Sequence, residues 1–345
     1  MNEENEASEA TTTTQMRDVT ILSKSGTPTQ PLSLVEAINY TDRTLDEIAK
    51  YYVGNKDTLA KILASIFAGG HVLLEDHPGI GKTFVAKLIS RVLGISYRRI
   101  QFTPDLLPSD ISGTKIWRAS KGEFELMKGP IFASLILGDE INRAPPKTQA
   151  ALLEAMEEGQ VTIEGDTLKL PIPFTVIATQ NPIEFEGTYP LPEAQLDRFM
   201  VRLSLSYPKN EIELLRRRLN WQSDDPSPKA EQILDARTLL SIRMLLESSV
   251  KVSDEILGYI GQFAQIRTDA RVMAGPSPRG LLSLLRMSRG IALINGRDFV
   301  VPDDVKYIAG DSLAHRIVPK PEFALEELNT LSIVNEYIAK IPVPK

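Results

Sequence analysis

The sequence of 345 residues contains no cysteine and only three histidines, at positions 71, 77 and 315. Disulfide bonds, thiolate metal sites and thiol redox chemistry are therefore excluded, and the scattered histidines do not indicate a zinc site. No apolar run approaches the roughly 18 residues that a membrane-spanning helix needs. The N-terminus also lacks the positive charge and apolar stretch of a signal peptide. These absences predict a soluble cytoplasmic protein with no membrane span.

Acidic residues outnumber basic ones, and the formal net charge is -6. A dedicated nucleic-acid-binding protein would usually be basic, so nucleic acid is not the expected partner, although the net charge leaves room for a local basic patch. The apolar content of 42% supports a sizeable core. A chain of this length is typical of about two domains.

The composition changes along the chain and predicts where the domains lie. The first 30 residues are acidic and then rich in threonine, so they cannot bury enough apolar surface to offset the entropy of ordering, and we expect a mobile tail. A polar stretch around Pro226 is typical of a linker. The predicted parts are a tail at 1–30, a core at 31–208, a linker helix and loop at 209–225, and a smaller all-helical domain at 226–345.

The core alternates short apolar runs with helical patterns, which is typical of a parallel sheet covered by helices, an α/β fold. After Pro208 we find helical periodicity and no alternation typical of strands. Two patterns that resemble capping boxes, Ser33-x-x-Glu36 and Thr44-x-x-Glu47, each predict the start of a helix. Strands are predicted at 71–75, 97–102, 133–137, 174–179 and 200–205, a hairpin at 115–126, and helices at 58–67, 149–158, 211–219, 239–246, 255–266 and 280–293.

A glycine-rich loop, Asp76-His77-Pro78-Gly79-Ile80-Gly81-Lys82-Thr83, follows the first of these strands. Its glycines allow backbone N–H groups to surround phosphate oxygens at the positive end of the next helix. Lys82 would contact the β- and γ-phosphates, and Thr83 would offer a hydroxyl to Mg²⁺. An accidental turn is the alternative, but Gly-Lys-Thr between a strand and a helix is specific. Asp76 stands where the general motif has glycine.

Two carboxylates, Asp139 and Glu140, follow the apolar run that ends at Gly138. The carboxyl ends of strands are where open α/β sheets bind their ligands. Asp139 fits the carboxylate that organises Mg²⁺. Glu140 would face the γ-phosphate and deprotonate a water molecule, which is worth about 10²–10⁴ in rate. The alternative is a solvated acidic pair at a strand end.

Three more polar residues complete the expected site. Asn181 follows the strand at 174–179 and would hold the attacking water, although asparagine is common at strand ends. Arg198 would reach the γ-phosphate of a neighbouring subunit, an effect worth about 10³–10⁵ in turnover; its alternative is a surface salt bridge. Arg279 begins a helix of the second domain, from which we expect it to contact the nucleotide of its own subunit; its alternative is an ordinary helix-opening arginine.

Long runs between these motifs resemble the AAA+ superfamily and, more narrowly, the MoxR family. The resemblance spans about residues 35–320. It rests on residues 101–110 and 129–132, on the run DEINRAPPKTQAALLEAMEE at 139–158, and on the run ATQNPIEFEGTYPLPEAQLDRF at 178–199. It implies a P-loop αβα core followed by a helical lid domain. Asp76 is usual in this family, so its departure from the general motif does not argue against nucleotide binding.

The resemblance also implies roles for single residues, with ATP and Mg²⁺ as cofactors. Thr83 and Asp139 would hold the metal. Glu140, Asn181, Arg198 and Arg279 would be catalytic as Walker B, sensor 1, arginine finger and sensor 2. The residues that would bind the nucleotide, with Val53 and Gly54 cradling adenine, are Val53, Gly54, His77, Pro78, Gly79, Ile80, Gly81, Lys82, Thr83 and Phe84. The position of His77 also fits a purely positional role.

Members of this family typically form hexameric rings that remodel or mature protein complexes, often with a von Willebrand factor A-domain partner. The resemblance therefore implies a Mg-dependent ATPase in which Arg198 acts in trans, together with a client protein complex. The hairpin at 115–126 resembles an insert that faces the ring pore. Three alternatives stay open: a motor or loader linked to nucleic acid, a motor subunit of a metal chelatase, and a scaffold that binds ATP but barely hydrolyses it.

Overall fold

A five-stranded parallel sheet forms the centre of the computed structural model, which describes residues 32–181, 188–208, 210–324 and 329–344. Its strand order is β2-β5-β8-β1-β9. All five strands fall within segments that the sequence predicts as strands, although β2 is largely polar. The strands are β1 (Val72–Glu75), β2 (Tyr97–Gln101), β3 (Gly113–Arg118), β4 (Glu123–Lys128), β5 (Leu135–Asp139), β6 (Gln160–Ile163), β7 (Asp166–Lys169), β8 (Thr175–Gln180), β9 (Val201–Leu203), β10 (Val272–Ala274) and β11 (Val318–Pro319).

Helices cover the sheet and make up most of the C-terminal part. They are α1 (Leu34–Tyr51), α2 (Lys56–Phe67), α3 (Lys82–Val92), α4 (Pro108–Ser112), α5 (Pro146–Glu158), α6 (Glu193–Leu196), α7 (Glu211–Trp221), α8 (Ala236–Ser248), α9 (Asp254–Gln262), α10 (Pro278–Ile294), α11 (Pro302–Leu313), α12 (Pro321–Ala324) and α13 (Thr330–Lys340). The predicted α/β core with a helical C-terminal part is confirmed. None of the described helices is long and apolar enough to cross a membrane.

Each face of the sheet packs against its own apolar cluster, because successive side chains of a strand point to opposite faces. Val72 and Leu74 join the cluster that contains α1, α2, α3 and the C-terminal helices. Leu73, between them, joins the cluster on the side of α5. The C-terminal helices thus share one continuous core with α2, so the expected domain boundaries at 208 and 226 stay predictions.

The first helix departs from the sequence prediction. Ser33 forms the expected capping box with Glu36, but Thr44 lies inside the same helix and does not begin a second one. The Thr44 hydroxyl donates to the carbonyl of Tyr40 at 2.7 Å, and the Glu47 carboxylate accepts from Lys50 and from the distant backbone N–H of Glu231. A threonine in a helix interior can satisfy its hydroxyl in this way, so the pattern alone could not locate a helix end.

Three small antiparallel pairs stand outside the central sheet. The β3–β4 hairpin was predicted, and it carries an edge-to-face pair of Trp117 and Phe124. The β6–β7 hairpin was not predicted, nor was the β10–β11 ribbon within the C-terminal part. Strands of two to four residues are too short to give a readable alternation. The predicted mobile tail at 1–30 lies outside the described residues.

Candidate active site

The glycine-rich loop leads from the end of β1 into the first turn of α3. Gly79 and Gly81 have φ angles of 84° and 89°, which residues with a Cβ rarely adopt. Gly81 is the N-cap of α3, so the positive end of the helix dipole lies at the loop. The side chain of Lys82 is buried, and its Nζ donates to the carbonyl of Asp76 at 2.8 Å. This arrangement provides a positively polarised cradle for phosphate.

The Asp76 carboxylate has a structural explanation in the segment that follows β9. It is 6% exposed and accepts from the backbone N–H of Leu205 at 2.7 Å, from the Ser204 hydroxyl at 2.5 Å and from the N–H of Ser206 at 3.4 Å. A glycine could make none of these contacts. Asp76 therefore ties the start of the phosphate loop to the end of the neighbouring strand.

Asp139 ends β5, and its carboxylate is buried between two partners. One oxygen accepts from the Thr179 hydroxyl at 2.7 Å. The other accepts from the Nη2 and Nε atoms of Arg99 at 2.6 and 3.0 Å. Together the two contacts orient a hard oxygen ligand towards the cavity that begins at the phosphate loop.

Glu140 adopts a left-handed backbone conformation, with φ 58° and ψ 49°. Such a conformation costs of order 1–3 kcal/mol outside glycine and is typical of active sites. Thr179 stabilises it, because its hydroxyl accepts from the backbone N–H of Glu140 at 2.9 Å. The Glu140 carboxylate accepts from the amide of Gln101 and from Arg143, both at 2.8 Å.

Sequence reasoning missed Arg99, Gln101 and Arg143, and the sheet register explains how two of them reach the site. Gln101 is paired with Asp139 across β2 and β5, and Arg99 lies two residues earlier, on the same face of β2. Such a pairing cannot be read until the strand order is known. Arg143 lies three residues after Glu140, which it contacts. This short spacing was the feature of the sequence from which the contact could have been predicted.

A cavity of about 410 Å³ brings these groups together. Its lining is polar, and it contains most of the predicted phosphate and metal residues as well as Arg99. The residues are Pro78, Gly79, Gly81, Lys82, Thr83, Phe84, Arg99, Asp139, Glu140 and Asn181. The hydroxyl of Thr83 and the carboxylate of Asp139 are oxygen ligands of the kind that Mg²⁺ prefers, so the donor set fits Mg²⁺ together with a polyphosphate.

A second, more apolar cavity of about 450 Å³ adjoins the first, sharing Gly79, Gly81 and Phe84 with it. Tyr52, Val53 and Ile80 line it on one side, and side chains of α7 line it on the other. Burial, with a smaller effect of the Asp76 charge, raises the pKa of Tyr52 to about 12. An apolar cavity next to a phosphate cradle fits a nucleotide base.

Gly54 and His77 lie outside the lining of both cavities. A Cβ on Gly54 would stand 2.3 Å from the ring of Tyr52, so this glycine shapes the apolar cavity indirectly, by allowing Tyr52 to approach. His77 stacks on Tyr207, with ring centroids 6.2 Å apart. The structure thus places these two predicted nucleotide residues beside the site, and Val53 and Ile80 within it.

Arg198 and Arg279 lie together in a third cavity, of about 210 Å³. Nη2 of Arg198 is 2.9 Å from a carboxylate oxygen of Glu157, and Arg279 contacts the other oxygen of the same group. These arginines lower the pKa of Glu157, Arg279 contributing most. His71 lines the same cavity, and burial lowers its pKa to about 4.

The arginine cavity shares no lining residue with the phosphate cavity. His71 directly precedes β1, whereas Asp76 directly follows it. At about 3.3 Å per residue, the two ends of this strand are about 16 Å apart, farther than either arginine side chain extends. The start of α10 thus packs at the opposite end of β1 from the phosphate loop, and the expected contact of Arg279 with the nucleotide of its own subunit stays a prediction.

Comparisons with known proteins agree with this geometry. A family model described as "ATPase family associated with various cellular activities (AAA)" matches residues 71–201. A second model, described as an AAA lid domain, matches residues 264–333. The first match covers the sheet with its phosphate loop, and the second covers α10 and α11.

Similar proteins span nearly the whole chain. YeaC of Bacillus subtilis, a protein without an assigned function, is 44% identical over 88% of this chain and 94% of its own length. Chaperone MoxR1 of Mycobacterium tuberculosis is 38% identical over 90% of this chain and 84% of its own. A crystal structure from Cytophaga hutchinsonii, described as that of a candidate ATPase, has a TM-score of 0.83 and 40% identity, covering 90% of this chain and 97% of that one.

Proposed function

The chain belongs to the MoxR family of AAA+ ATPases, and from this premise we propose that it hydrolyses ATP with Mg²⁺ to remodel or mature protein complexes. One observation carries the proposal. The phosphate loop, Asp139, Glu140 and Asn181 line a single cavity, while both candidate arginines line a separate one. Each subunit thus offers a nucleotide site at one place and the cations that would complete such a site at another.

The residues of the nucleotide cavity have distinct tasks in this proposal. Lys82 and the loop N–H groups hold the β- and γ-phosphates, and the adjoining apolar cavity holds the base. Thr83 and Asp139 would hold Mg²⁺, which when bound neutralises phosphate charge. Asn181 positions a water molecule, and Glu140 accepts its proton. Arg99 balances the charge of Asp139 in the nucleotide-free subunit.

Arg198 and Arg279 act on the nucleotide of a neighbouring subunit in this proposal. The separation of about 16 Å along β1 supports action in trans, because the arginine cavity lies at the opposite end of that strand from the phosphate loop. A charge inserted from a neighbour can raise turnover by about 10³–10⁵. We propose a hexameric ring as the assembly that repeats this contact, with the arginine cavity of each subunit facing the phosphate cavity of the next.

The proposed role in the cell is taken from the family to which the chain belongs. The name of Chaperone MoxR1 supports a chaperone-like activity for this chain as well. We propose a von Willebrand factor A-domain protein as a partner and a protein complex as the client. Both should co-purify with a Glu140→Gln variant that is held in the ATP-bound state. ATPase activity that DNA stimulates, with a steep dependence on salt, would favour a nucleic-acid motor instead.

Mixing two inactive variants tests the proposal. Lys82→Ala subunits lack a working phosphate site but keep both arginines, and Arg198→Ala subunits have the opposite defect. We expect each variant to be nearly inactive alone and the mixture to recover ATPase activity, because one kind of interface then contains a complete site. The proposal fails if no mixing ratio recovers activity, or if the wild type hydrolyses ATP equally well as a monomer. Glu140→Gln with an unchanged hydrolysis rate would contradict the role of Glu140.

A further inference from the structure

A single carboxylate, that of Glu157, contacts both arginines of the arginine cavity. Arg198 lies in the turn between α6 and β9, and Arg279 lies at the start of α10. One carboxylate oxygen forms an ion pair with Arg198 at 2.9 Å, and the other accepts a hydrogen bond from Arg279. Two guanidinium groups from distant parts of the chain are therefore held side by side by one anion.

Glu157 and Arg279 do not stabilise the helices that carry them. Glu157 is the penultimate residue of α5, next to the negative end of the helix dipole, and Arg279 is the second residue of α10, next to a positive end. Each charge is unfavourable for its own helix. The ion pairs compensate for both, and Glu157 is only about one-third exposed, at 34%.

The backbones that carry the two arginines are fixed by other contacts. Asp197, next to Arg198, accepts at 3.0 Å from the hydroxyl of Ser277, the N-cap of α10. The same carboxylate accepts at 2.7 Å from Arg316, whose side chain is 2% exposed. These contacts join the two segments without Glu157. The contribution that remains for Glu157 is the direction and spacing of the two guanidinium groups.

We propose that Glu157 is a positioning residue that holds Arg198 and Arg279 together in the free subunit, in the arrangement in which both donate to one phosphate group of the neighbour's nucleotide. A carboxylate and a phosphate accept from guanidinium groups in a similar way, so the neighbour's phosphate replaces Glu157 as the shared anion. This proposal rests on the action of the arginines in trans proposed above.

The mixture of inactive variants also tests this proposal, because it separates the two halves of a site. Lys82→Ala subunits supply only arginines, and Arg198→Ala subunits supply only a nucleotide cavity. We expect Glu157→Gln to lower the recovered kcat about tenfold or more when the arginine-supplying subunit carries it. The same substitution in the other subunit should leave kcat unchanged.

The controls distinguish this proposal from its parent. Glu158→Gln removes the same charge from an exposed neighbour on α5, and we expect no change in either subunit. Glu157→Asp keeps the charge and should restore part of the activity. No recovery in the parent mixture refutes action in trans itself. If the parent mixture recovers activity, three results would refute only the positioning role of Glu157. In these results, Glu157→Gln lowers the recovered kcat equally in both subunits, leaves it unchanged, or increases it.

A second measurement needs neither ATP nor hydrolysis. In nucleotide-free Lys82→Ala subunits, Glu157→Gln leaves the paired arginines without their shared anion. We expect inorganic phosphate to raise the thermal midpoint of this double variant more than that of Lys82→Ala alone, and a further Arg198→Ala change to abolish the difference. Equal phosphate responses in the double and single variants would refute the shared-anion arrangement.

Discussion

Replacing Asp76 by glycine would restore the general phosphate-loop pattern, and the structure predicts that it will destabilise this protein. The carboxylate accepts from the N–H of Leu205 and the hydroxyl of Ser204, and it is 6% exposed. Leaving the buried N–H without a partner costs about 1–3 kcal/mol. The added freedom of glycine in the unfolded chain costs about 0.4–1 kcal/mol. We therefore expect Asp76→Gly to lower the free energy of unfolding by about 1.4–4 kcal/mol.

Urea unfolding of the nucleotide-free protein measures this change, with Asp76→Asn as the matched control. Asparagine has the same shape and keeps one acceptor oxygen, so we expect a smaller loss than for glycine. Binding of a fluorescent ATP analogue to the folded variant should weaken less than for Lys82→Ala, because Gly79 and Gly81 still set the loop conformation. A glycine variant as stable as the wild type would refute the explanation of Asp76 as a link to the segment after β9.

Three further predictions concern stability and catalysis. Burial lowers the pKa of His71 to about 4. The contribution of the neutral His71 side chain to stability is therefore complete above about pH 6.5 and is lost as the pH falls towards about 4. Between about pH 7 and 5, urea unfolding should show that the free energy of unfolding falls by about 2 kcal/mol more in the wild type than in His71→Gln. Gly290→Ala should cost about 1–3 kcal/mol in thermal unfolding, because its Cβ would lie 2.9 Å from a backbone oxygen of α2, whereas Gly258→Ala, with nothing within 4 Å of the added Cβ, should be neutral or stabilising. If Glu140 activates water as proposed, Thr179→Val should lower kcat about tenfold while ATP still binds, since it removes the acceptor for the backbone N–H of Glu140. Thr175→Val, on the same strand and with a buried hydroxyl that has no partner, should leave kcat unchanged. Equal kcat values for the two variants would contradict this role of Thr179.

The sequence predicts that the residues of the phosphate cavity converge because they stand at equivalent places at the ends of strands. Asp139 ends a strand of the parallel sheet, Asn181 directly follows another, and Lys82 follows the loop that leaves a third. Parallel strands bring their carboxyl ends to one edge, so residues at those positions converge whatever the strand order is. Local pattern and one general property of α/β sheets were sufficient for this part of the site.

The partners of those residues depend on information that a local pattern does not contain. Arg99 and Gln101 reach the carboxylates because β2 is adjacent to β5 in the sheet, and another strand order would have placed them elsewhere. Thr44 shows the same limit in a helix. A threonine followed by glutamate three residues later fits a helix start, but here the hydroxyl bonds to the preceding turn.

The position of Arg279 could not be predicted without knowing how the C-terminal helices pack. The sequence predicts that this arginine begins a helix of the C-terminal part, as the structure has it, but it does not predict that Arg279 lines a cavity separate from the phosphate cavity. α10 packs against α2, where Gly290 allows close approach to Ala64, and the contact of Ser277 with Asp197 joins the start of α10 to the turn that carries Arg198. Both arginines then lie near the amino end of β1, in the cavity that His71 also lines. In the proposed ring, rotating α10 within a subunit would alter the neighbour's site before its own, and the Glu157 contact would link lid position to hydrolysis in the next subunit.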